Sequence, residues 1–250
     1  MSVSPYGYTR WLAQGMSTRD MLSMASDAGV RLFHLDPLIR WVANWKPNVP
    51  ESAFPYHALS FGEDEFLGFA EALGVESFTA FAAFPEGTVS FTELVDAFGS
   101  LCKKAAARGL RCDLEFIPMY GIPTLEVAWR IVKAAGAPNG GIAFDFWHYF
   151  RGTPDDDLLR SIPGAKIHCV QISDATARPP DGVPPGQDGQ TSRRLPGDGN
   201  FRIADVIRIF RATAGLNTVG LEIFSTKFDA MTAEEIGAAC RKSLAAVLSA

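Results

Sequence analysis

The sequence predicts an α/β fold, a (β/α)8 TIM barrel that forms a single domain over residues 1–250. Short β-like runs alternate with amphipathic helical stretches along the whole chain, which favours a parallel sheet. Strand candidates such as IAFDF and IHCVQI are apolar on both faces, as expected of strands that are covered on both sides. A length of 250 residues is typical of such a barrel. An open doubly wound sheet fits the same alternation, but no Gly-rich phosphate loop follows any strand.

The predicted helices are marked by a capping residue, apolar positions at helical spacing and a glycine stop. The segment STRDMLSMASDAG at 17–29 shows all three features, since it starts with Ser and Thr and ends at Gly29. The other predicted helices lie at 63–74, 91–108, 124–136, 154–161, 202–214 and 232–248.

Six strands are clear between these helices. They lie at 30–36, 76–82, 110–118, 141–147, 165–173 and 218–224. SVSPYGY at 2–8 is a weaker first strand, and an eighth strand near 54–59 has to be short and irregular. The alternation therefore accounts for a complete barrel.

Two long loops follow the carboxyl ends of predicted strands, where barrel enzymes build their sites. One spans 36–61, and the other spans 175–199 with five prolines and five glycines. Loops of this length inside a compact domain are usually functional or disordered.

The composition excludes several classes of partner. The net charge is −5 and no Lys/Arg cluster stands out, so we expect no nucleic-acid partner. The amino-terminal residues lack the apolar core of a signal peptide, and no apolar run approaches the roughly 18 residues that span a bilayer. The four cysteines show no CxxC spacing. A reduced protein of the cytoplasm, without a membrane partner, is expected.

Four successive predicted strands each carry a polar residue inside apolar sequence. The four are Glu115 in LEF, Asp145 in FDF, Gln171 in VQI and Glu222 in LEI. A buried acid is costly unless it is paired, hydrogen-bonded or bound to a metal. Side chains on consecutive strands converge at the barrel mouth, and a cation relieves the repulsion among three carboxylates. The pattern predicts one divalent metal per chain, held by these four residues.

The predicted ligand set indicates which metal it suits. All four side chains offer oxygen, and none is His or Cys. Hard ions such as Mn²⁺ or Mg²⁺ therefore fit better than Zn²⁺ or Cu²⁺. Mn²⁺ is favoured, because a Lewis acid that acts on a carbonyl is the expected task.

At this point the chain resembles the xylose-isomerase-like TIM-barrel superfamily of sugar isomerases and epimerases. The resemblance is carried by LEF at 114–116, DFWH at 145–148, HCVQISDATAR at 168–178, PGDG at 196–199 and GLEIF at 220–224. At position 171 related ketose epimerases have His. The Gln of this chain resembles the pattern of the hydroxypyruvate isomerase group instead. The loop 175–199 is longer than expected in either group.

The resemblance implies roles for individual residues. The metal ligands of such enzymes map onto Glu115, Asp145, Gln171 and Glu222, and the two glutamates commonly act as acid and base. A His three residues after the Asp and an Arg in the loop after the third ligand contact substrate oxygens. These residues are His148 and Arg178 here.

Several other residues near strand ends are candidates for substrate binding. Arg151 follows a predicted metal strand, and either binds an anionic group or pairs with the acids at 155–157. Arg193 and Arg194 precede PGDG on the long loop, where arginines are expected to be solvated. The resemblance nevertheless makes Arg194 a substrate-binding candidate. Asp174 either orients a ligand or caps a turn.

Two more candidates lie earlier in the chain. His34 ends the second strand with Asp36 and is expected to line the pocket, unless Asp36 only caps the turn before Pro37. Trp41, with Trp45, forms an apolar lid or packs against the barrel rim.

These residues predict metal-assisted proton abstraction next to a carbonyl of a sugar or keto-sugar, through a metal-bound enediolate. Return of the proton to the neighbouring carbon gives an isomerase, and return to the opposite face gives an epimerase. Loss of a β-substituent makes the site a dehydratase or lyase, as in related barrels that dehydrate keto-cyclitols or dehydroshikimate, or cleave oxidised C-glycosides.

Two other classes compete with this prediction. A DNA-repair endonuclease shares this barrel, but it uses several metals and many His ligands, and this chain has only four His residues. A non-catalytic barrel subunit is the remaining alternative, against which the intact ligand set counts. A homo-oligomer is the expectation for a soluble enzyme of this kind.

Overall fold

A computed structural model describes residues 2–27, 29, 31–43, 45 and 60–249. These residues fall into two compact units. The first comprises Met1–Glu115, Tyr120–Ile122 and Val127–Ile142, and the second comprises Phe116–Met119, Pro123–Glu126 and Ala143–Ala250. Each unit is described by itself, and the predicted single domain over 1–250 stays a prediction.

The first unit contains parallel strands that pair in chain order. They are β1 (Ser2–Val3), β2 (His34–Leu38), β3 (Ser77–Phe81) and β4 (Arg111–Glu115). The β2–β3 register shifts between Leu35 and Leu38, where Pro37 has no N–H to donate to the ladder. Phe78, opposite both Leu35 and Cys112, is fully buried, so this sheet lies in the core of its unit.

Helices alternate with these strands along the chain, and the last of them follows β4. They are α1 (Pro5–Ala13), α2 (Thr18–Asp27), α3 (Glu63–Leu73), α4 (Phe91–Ala106) and α5 (Leu125–Ala135). A capping box starts α4, because Ser90 Oγ accepts from the Glu93 amide and Glu93 accepts from the Ser90 amide. Gly74 ends α3 in the left-handed conformation that glycine adopts without strain.

Strand β5 (Gly140–Asp145) ends in the second unit, where the remaining elements lie. The other strands are β6 (Ile167–Ile172) and β7 (Val219–Leu221). The helices are α6 (Phe146–Arg151), α7 (Asp156–Ser161), α8 (Pro185–Thr191), α9 (Ile203–Thr213) and α10 (Ala233–Ser249). Strands β6 and β7 are parallel, with Gln171 opposite Gly220.

An aromatic cluster joins β5, α6 and α9 in the second unit. The Phe144 ring lies 4.9 Å from that of Phe210 in an edge-to-face contact, and 5.6 Å from that of Phe146. All three side chains are fully buried. Such aromatic pairs contribute about 0.5–1.5 kcal/mol each beyond burial of their area. The cluster therefore fixes the end of β5 and the start of α6, where Asp145 lies.

The structure confirms most of the predicted elements. Helices predicted at 63–74, 91–108 and 124–136 are found within two residues of those bounds. The strand predicted at 141–147 ends earlier, because Asp145 caps α6.

Two predictions about local structure were wrong, and one lies outside the described residues. Only Ser2–Val3 of the strand predicted at 2–8 forms a strand, because Ser4 caps a helix that begins at Pro5. Helix α8 inside the loop 175–199 was missed. The strand predicted near 54–59 falls in the segment that is not described.

The expectation that His34 ends its strand was also wrong. His34 begins β2 and pairs with Ser77 at the start of β3, so it lies at the amino end of these parallel strands. Its Nδ1 is hydrogen-bonded to Ser77 Oγ at 2.7 Å, and its Nε2 is hydrogen-bonded to Thr79 Oγ1 at 2.6 Å. Burial lowers the pKa of His34, with a smaller contribution from Arg111, although the charges of Asp113 and Asp36 oppose the shift.

Among the helices in the described part of the chain, none is both long and apolar enough to cross a bilayer.

The pKa of His34 predicts acid-sensitive stability. The folded state holds the ring neutral, whereas the unfolded chain binds a proton near pH 6.5. The contribution of neutral His34 to the free energy of unfolding is therefore complete above about pH 6.5. It is lost as the pH falls through the lowered pKa that His34 has in the folded state. Replacing His34→Gln should flatten the dependence of the unfolding free energy on pH between neutral and mildly acidic conditions, as measured by urea denaturation.

The matched control for this prediction is Thr79→Val, which removes a hydrogen bond to the same ring but no titratable group. It should lower the free energy of unfolding by about 1–3 kcal/mol at every pH. An unchanged pH dependence in the His34→Gln protein would contradict the assignment.

Candidate metal and substrate site

Asp145 ends β5 and also begins α6. Its Oδ1 accepts a hydrogen bond from the His148 backbone amide at 2.8 Å, as an N-cap carboxylate does. The residue is fully buried. The sequence DFWH therefore fixes the orientation of the carboxylate locally, and Oδ2 is directed to a partner from elsewhere in the chain.

Gln171 and Glu222 meet on the neighbouring strands β6 and β7. Gln171 Nε2 donates to Glu222 Oε1 at 3.0 Å. The Glu222 amide donates to the Ile172 carbonyl at 3.2 Å, which continues the ladder just past the end of β7. Parallel pairing thus brings together two of the predicted ligands that are 51 positions apart.

Arg193 joins these carboxylates. Its Nη1 lies 2.7 Å from Asp145 Oδ2 and 2.7 Å from Glu222 Oε2. Its Nε donates to the Gly189 carbonyl at 2.9 Å. The side chain is 4% exposed. The expectation of a solvated loop arginine was therefore wrong for Arg193. Its guanidinium compensates the buried Asp145 and the partly buried Glu222, which the sequence pattern alone did not indicate.

The charge of Arg193 affects the pKa of Asp145. Burial alone raises the pKa of this carboxyl, but Arg193 and His148, together with the His148 amide, outweigh that effect and lower it. Asp145 is therefore an anion in the folded protein, as a metal ligand has to be.

The chemistry of these donors fits a hard divalent cation. One carboxylate oxygen of Asp145 and one of Glu222 converge on a single positively charged atom, and the amide of Gln171 contacts the same glutamate. The two ends of the Gln171 amide exchange places by rotation, so its oxygen is available to a cation at that point. Asp145 and Glu222 would hold such a cation with oxygens that Arg193 contacts in this structure.

Glu115 ends β4 in the first unit and is 5% exposed. Its predicted roles as a fourth ligand and as a proton-transfer group stay predictions.

Asp174 holds the segment that carries Arg193. Its carboxylate accepts from the amides of Gly197, Gly199 and Phe201, and its backbone forms a bridge with Arg194. A Cβ at Gly199 would lie 2.3 Å from Asp174 Oδ1, so only glycine fits there. Of the two roles considered for Asp174, the structure shows the turn-forming one.

Arg151 and Asp188 form a buried ion pair. Arg151 Nε donates to Asp188 Oδ2 at 2.7 Å, and Nη1 donates to the Thr176 carbonyl at 2.8 Å. The alternative pairing of Arg151 with the acids at 155–157 was wrong, because Asp156 instead contacts Tyr149 and Arg202.

The other predicted substrate-binding residues lie in different surroundings. Arg178 is exposed, and Arg194 is half-buried with Nη1 on the Asp198 carbonyl. Trp41 is buried in the first unit, where its Nε1 donates to the Phe81 carbonyl at the end of β3. This contact agrees with packing, rather than with an apolar lid. The roles predicted for His148, Arg151, Arg178, Arg194, His34 and Trp41 stay predictions.

Comparisons with known proteins agree with the predicted fold. A family described as a xylose isomerase-like TIM barrel matches residues 15–245. The zinc-bound crystal structure of the IOLI protein superposes with a TM-score of 0.79 at 20% identity, over 99% of this chain and 87% of that one. A 3-keto-D-glucoside 4-epimerase of E. coli gives a TM-score of 0.63 at 16% identity, over 93% and 84%. The α/β TIM-barrel fold is confirmed.

Two groups of relatives are similar in sequence. The 3-dehydroshikimate dehydratase of Pseudomonas aeruginosa is 31% identical over 139 residues, or 55% of this chain and 21% of that protein. The inosose isomerase of Bacillus subtilis is 26% identical over 194 residues, or 74% and 68%. The matched part of the chain spans only about a fifth of the length of that dehydratase.

The shared guanidinium predicts a specific response to loss of Arg193. Replacing Arg193→Gln should lower the free energy of unfolding by about 3–5 kcal/mol, because it leaves a buried Asp145 charge without this partner. Excess Mn²⁺ should restore part of the loss. Denaturation curves with chelator and with Mn²⁺ measure both effects.

The neighbouring Arg194→Gln provides the control. Its described side-chain contact is with the Asp198 carbonyl, so we expect a change within about 0.5 kcal/mol. Equal losses in the two variants would contradict the role of Arg193.

Proposed function

Because the chain belongs to the xylose isomerase-like TIM-barrel family, we propose that it is a divalent-metal-dependent isomerase or epimerase of a keto-sugar or keto-cyclitol. The observation that carries the proposal is the convergence of Asp145 and Glu222 on one cationic atom, Nη1 of Arg193. Two carboxylates that meet at one point, one of them buried and the other partly buried, are suited to form the core of an oxygen-ligand metal site.

Asp145, Gln171 and Glu222 are the proposed ligands from the second unit, and Glu115 is proposed as the fourth from the sequence resemblance. Oxygen donors favour Mn²⁺ or Mg²⁺, one per chain, although the structurally similar IOLI protein holds zinc. When bound, the ion supplies Lewis-acid polarisation of a carbonyl.

Glu222 is the proposed proton-transfer group of the second unit. Its side chain is 18% exposed, whereas that of Asp145 is fully buried. A group that removes a proton from substrate has to be reached by the substrate, so the accessible carboxylate suits this task. Glu115 is proposed to return the proton.

A dehydratase is the second candidate, favoured by the 31% identity to 3-dehydroshikimate dehydratase. Both reactions start with removal of a proton next to a carbonyl, and they differ in whether a β-hydroxyl then leaves. A small carbohydrate-like molecule is the proposed substrate in either case. The cytoplasmic location and a homo-oligomeric state stay predictions.

Replacing Glu222→Gln tests the proton-transfer role, because Gln keeps an oxygen ligand but cannot accept the proton. Exchange of deuterium from D₂O into inosose should fall by about 100-fold or more. Nuclear magnetic resonance of the substrate measures this exchange before any product is identified.

Glu234→Gln, at an exposed position on α10, is the matched control and should exchange normally. Near-normal exchange by the Glu222→Gln protein, with its metal retained, would exclude this role for Glu222.

Metal analysis tests the centre independently of activity. We expect one divalent ion per chain after incubation with Mn²⁺, and a higher melting temperature than in chelator, because an ion that binds the folded state stabilises it. Failure to bind any divalent ion would instead favour a non-catalytic barrel subunit.

A further inference from the structure

The buried pair of Arg151 and Asp188 is not needed for the proposed proton transfer. Arg151 ends α6, and Asp188 lies in α8, the helix within the long loop 175–199. Their side chains are 5% and 1% exposed. A buried ion pair is not by itself a strong source of stability, because desolvation offsets much of the attraction. The pair therefore calls for another explanation.

Each member of this pair retains one unsatisfied polar atom. Arg151 Nη2 and Asp188 Oδ1 are buried and have no hydrogen-bond partner among the residues that the structure describes. Arg151 Nε donates a hydrogen bond to Asp188 Oδ2 at 2.7 Å, so the unsatisfied Nη2 and Oδ1 of the same two side chains lie close to each other. A buried polar group without a partner is destabilising, which makes both atoms candidates for contact with a ligand.

The pair lies next to residues of the candidate metal site. The guanidinium carbon of Arg151 is 5.9 Å from the centre of the Trp147 ring, and that of Arg193 is 5.4 Å from it. Gly189 follows Asp188 and accepts the hydrogen bond from Arg193 Nε. Trp147 Nε1 is a further buried donor without a partner among the described residues. Arg151 and Arg193 thus both lie over the Trp147 ring, and Asp188 is adjacent in sequence to the residue that Arg193 contacts.

A donor beside an acceptor selects the chemistry of the group that binds there. A hydroxyl group both donates and accepts, so it can bond to Asp188 Oδ1 and to Arg151 Nη2 at once. An ionised carboxylate accepts only, and it would be repelled by Asp188. Because the charges of Arg151 and Asp188 cancel, the pair offers no net attraction to an anion.

We propose that Arg151 and Asp188 form a subsite for a substrate hydroxyl group, which makes the preferred substrate a neutral polyhydroxylated ketone rather than one that carries a carboxylate. This inference rests on the proposed function and specifies its substrate class. Because both atoms are buried, a hydroxyl group reaches them only if α6 and α8 separate at this point.

Binding of two probes by calorimetry tests the subsite without requiring turnover. Inosose is neutral and polyhydroxylated, whereas 3-dehydroshikimate carries a carboxylate. We expect the Mn²⁺-loaded wild-type protein to bind inosose at least tenfold more tightly than 3-dehydroshikimate.

Replacing Asp188→Asn is the informative change. Asn has nearly the same shape and keeps one oxygen for Arg151 Nε, but it presents an amide donor where the unsatisfied acceptor was. The Kd for inosose should rise by about 10- to 100-fold, the range for loss of one hydrogen bond to a charged group. The Kd for 3-dehydroshikimate should stay the same or fall, because one negative charge is gone.

Asp157→Asn is the matched control, since Asp157 also pairs with an arginine, Arg160, at 2.7 Å but has a side chain that is 96% exposed. It should bind both probes as the wild-type protein does. Arg151→Lys is a second variant that keeps the charge and lacks Nη2, and it should also weaken inosose binding. Circular dichroism confirms that each variant is folded.

Three results would overturn the subsite. The first is equal inosose affinity in the wild-type and Asp188→Asn proteins, as expected if only a buried water bridges the pair. The second is tighter binding of 3-dehydroshikimate than of inosose by the wild-type protein. The third is no binding of inosose. A wild-type protein that binds inosose with the expected sensitivity to Asp188→Asn, yet exchanges no deuterium, would contradict the proposed function and leave the subsite in place.

Discussion

The arrangement of the second unit depends on one guanidinium group that two carboxylates share. Arg193 lies between Asp145 and Glu222, at 2.7 Å from each. Without a cation at this point, two acids in a largely buried position would repel each other and lose their hydration. The same convergence of negative charge is what a divalent ion requires. Stability of the folded chain and affinity for a metal therefore have a common electrostatic origin.

The long loop 175–199 supplies the groups that surround this point. Asp174 organises its end through the amides of Gly197, Gly199 and Phe201, which fixes the direction in which Arg193 leaves the backbone. Helix α8 packs its Gly189 against the Trp147 ring, where an added Cβ would lie 3.1 Å from the ring. Gly189 and Gly199 thus reflect close approach of backbone to side chains, whereas Gly182 and Gly197 have the positive φ that glycine adopts without strain.

Charge balance separates two kinds of recognition within one region. Arg193 compensates the charges of Asp145 and Glu222, the proposed metal ligands, whereas Arg151 is neutralised by Asp188 and keeps only directional hydrogen-bonding capacity. Arg178 is exposed and is arranged differently from both of these arginines. The sequence predicted substrate binding for Arg151 and Arg178, and solvation for Arg193. The same residue type therefore serves compensation of acids, hydroxyl recognition or solvation according to its partners.

The sequence by itself determined the β/α alternation, the family and the polar residues at strand ends, because periodicity and an acid inside an apolar run are local signals. It did not indicate that a helix begins after Asp145, because the apolar run predicted a strand that continues to residue 147. Only the tertiary structure decided that Arg193 meets Asp145 and Glu222, at sequence separations of 48 and 29, or that Arg151 pairs with Asp188 instead of the nearer acids. It also placed His34 at the amino end of its strand. Charge pairing depends on which surfaces the packed chain brings together, and a local pattern carries no record of those distances.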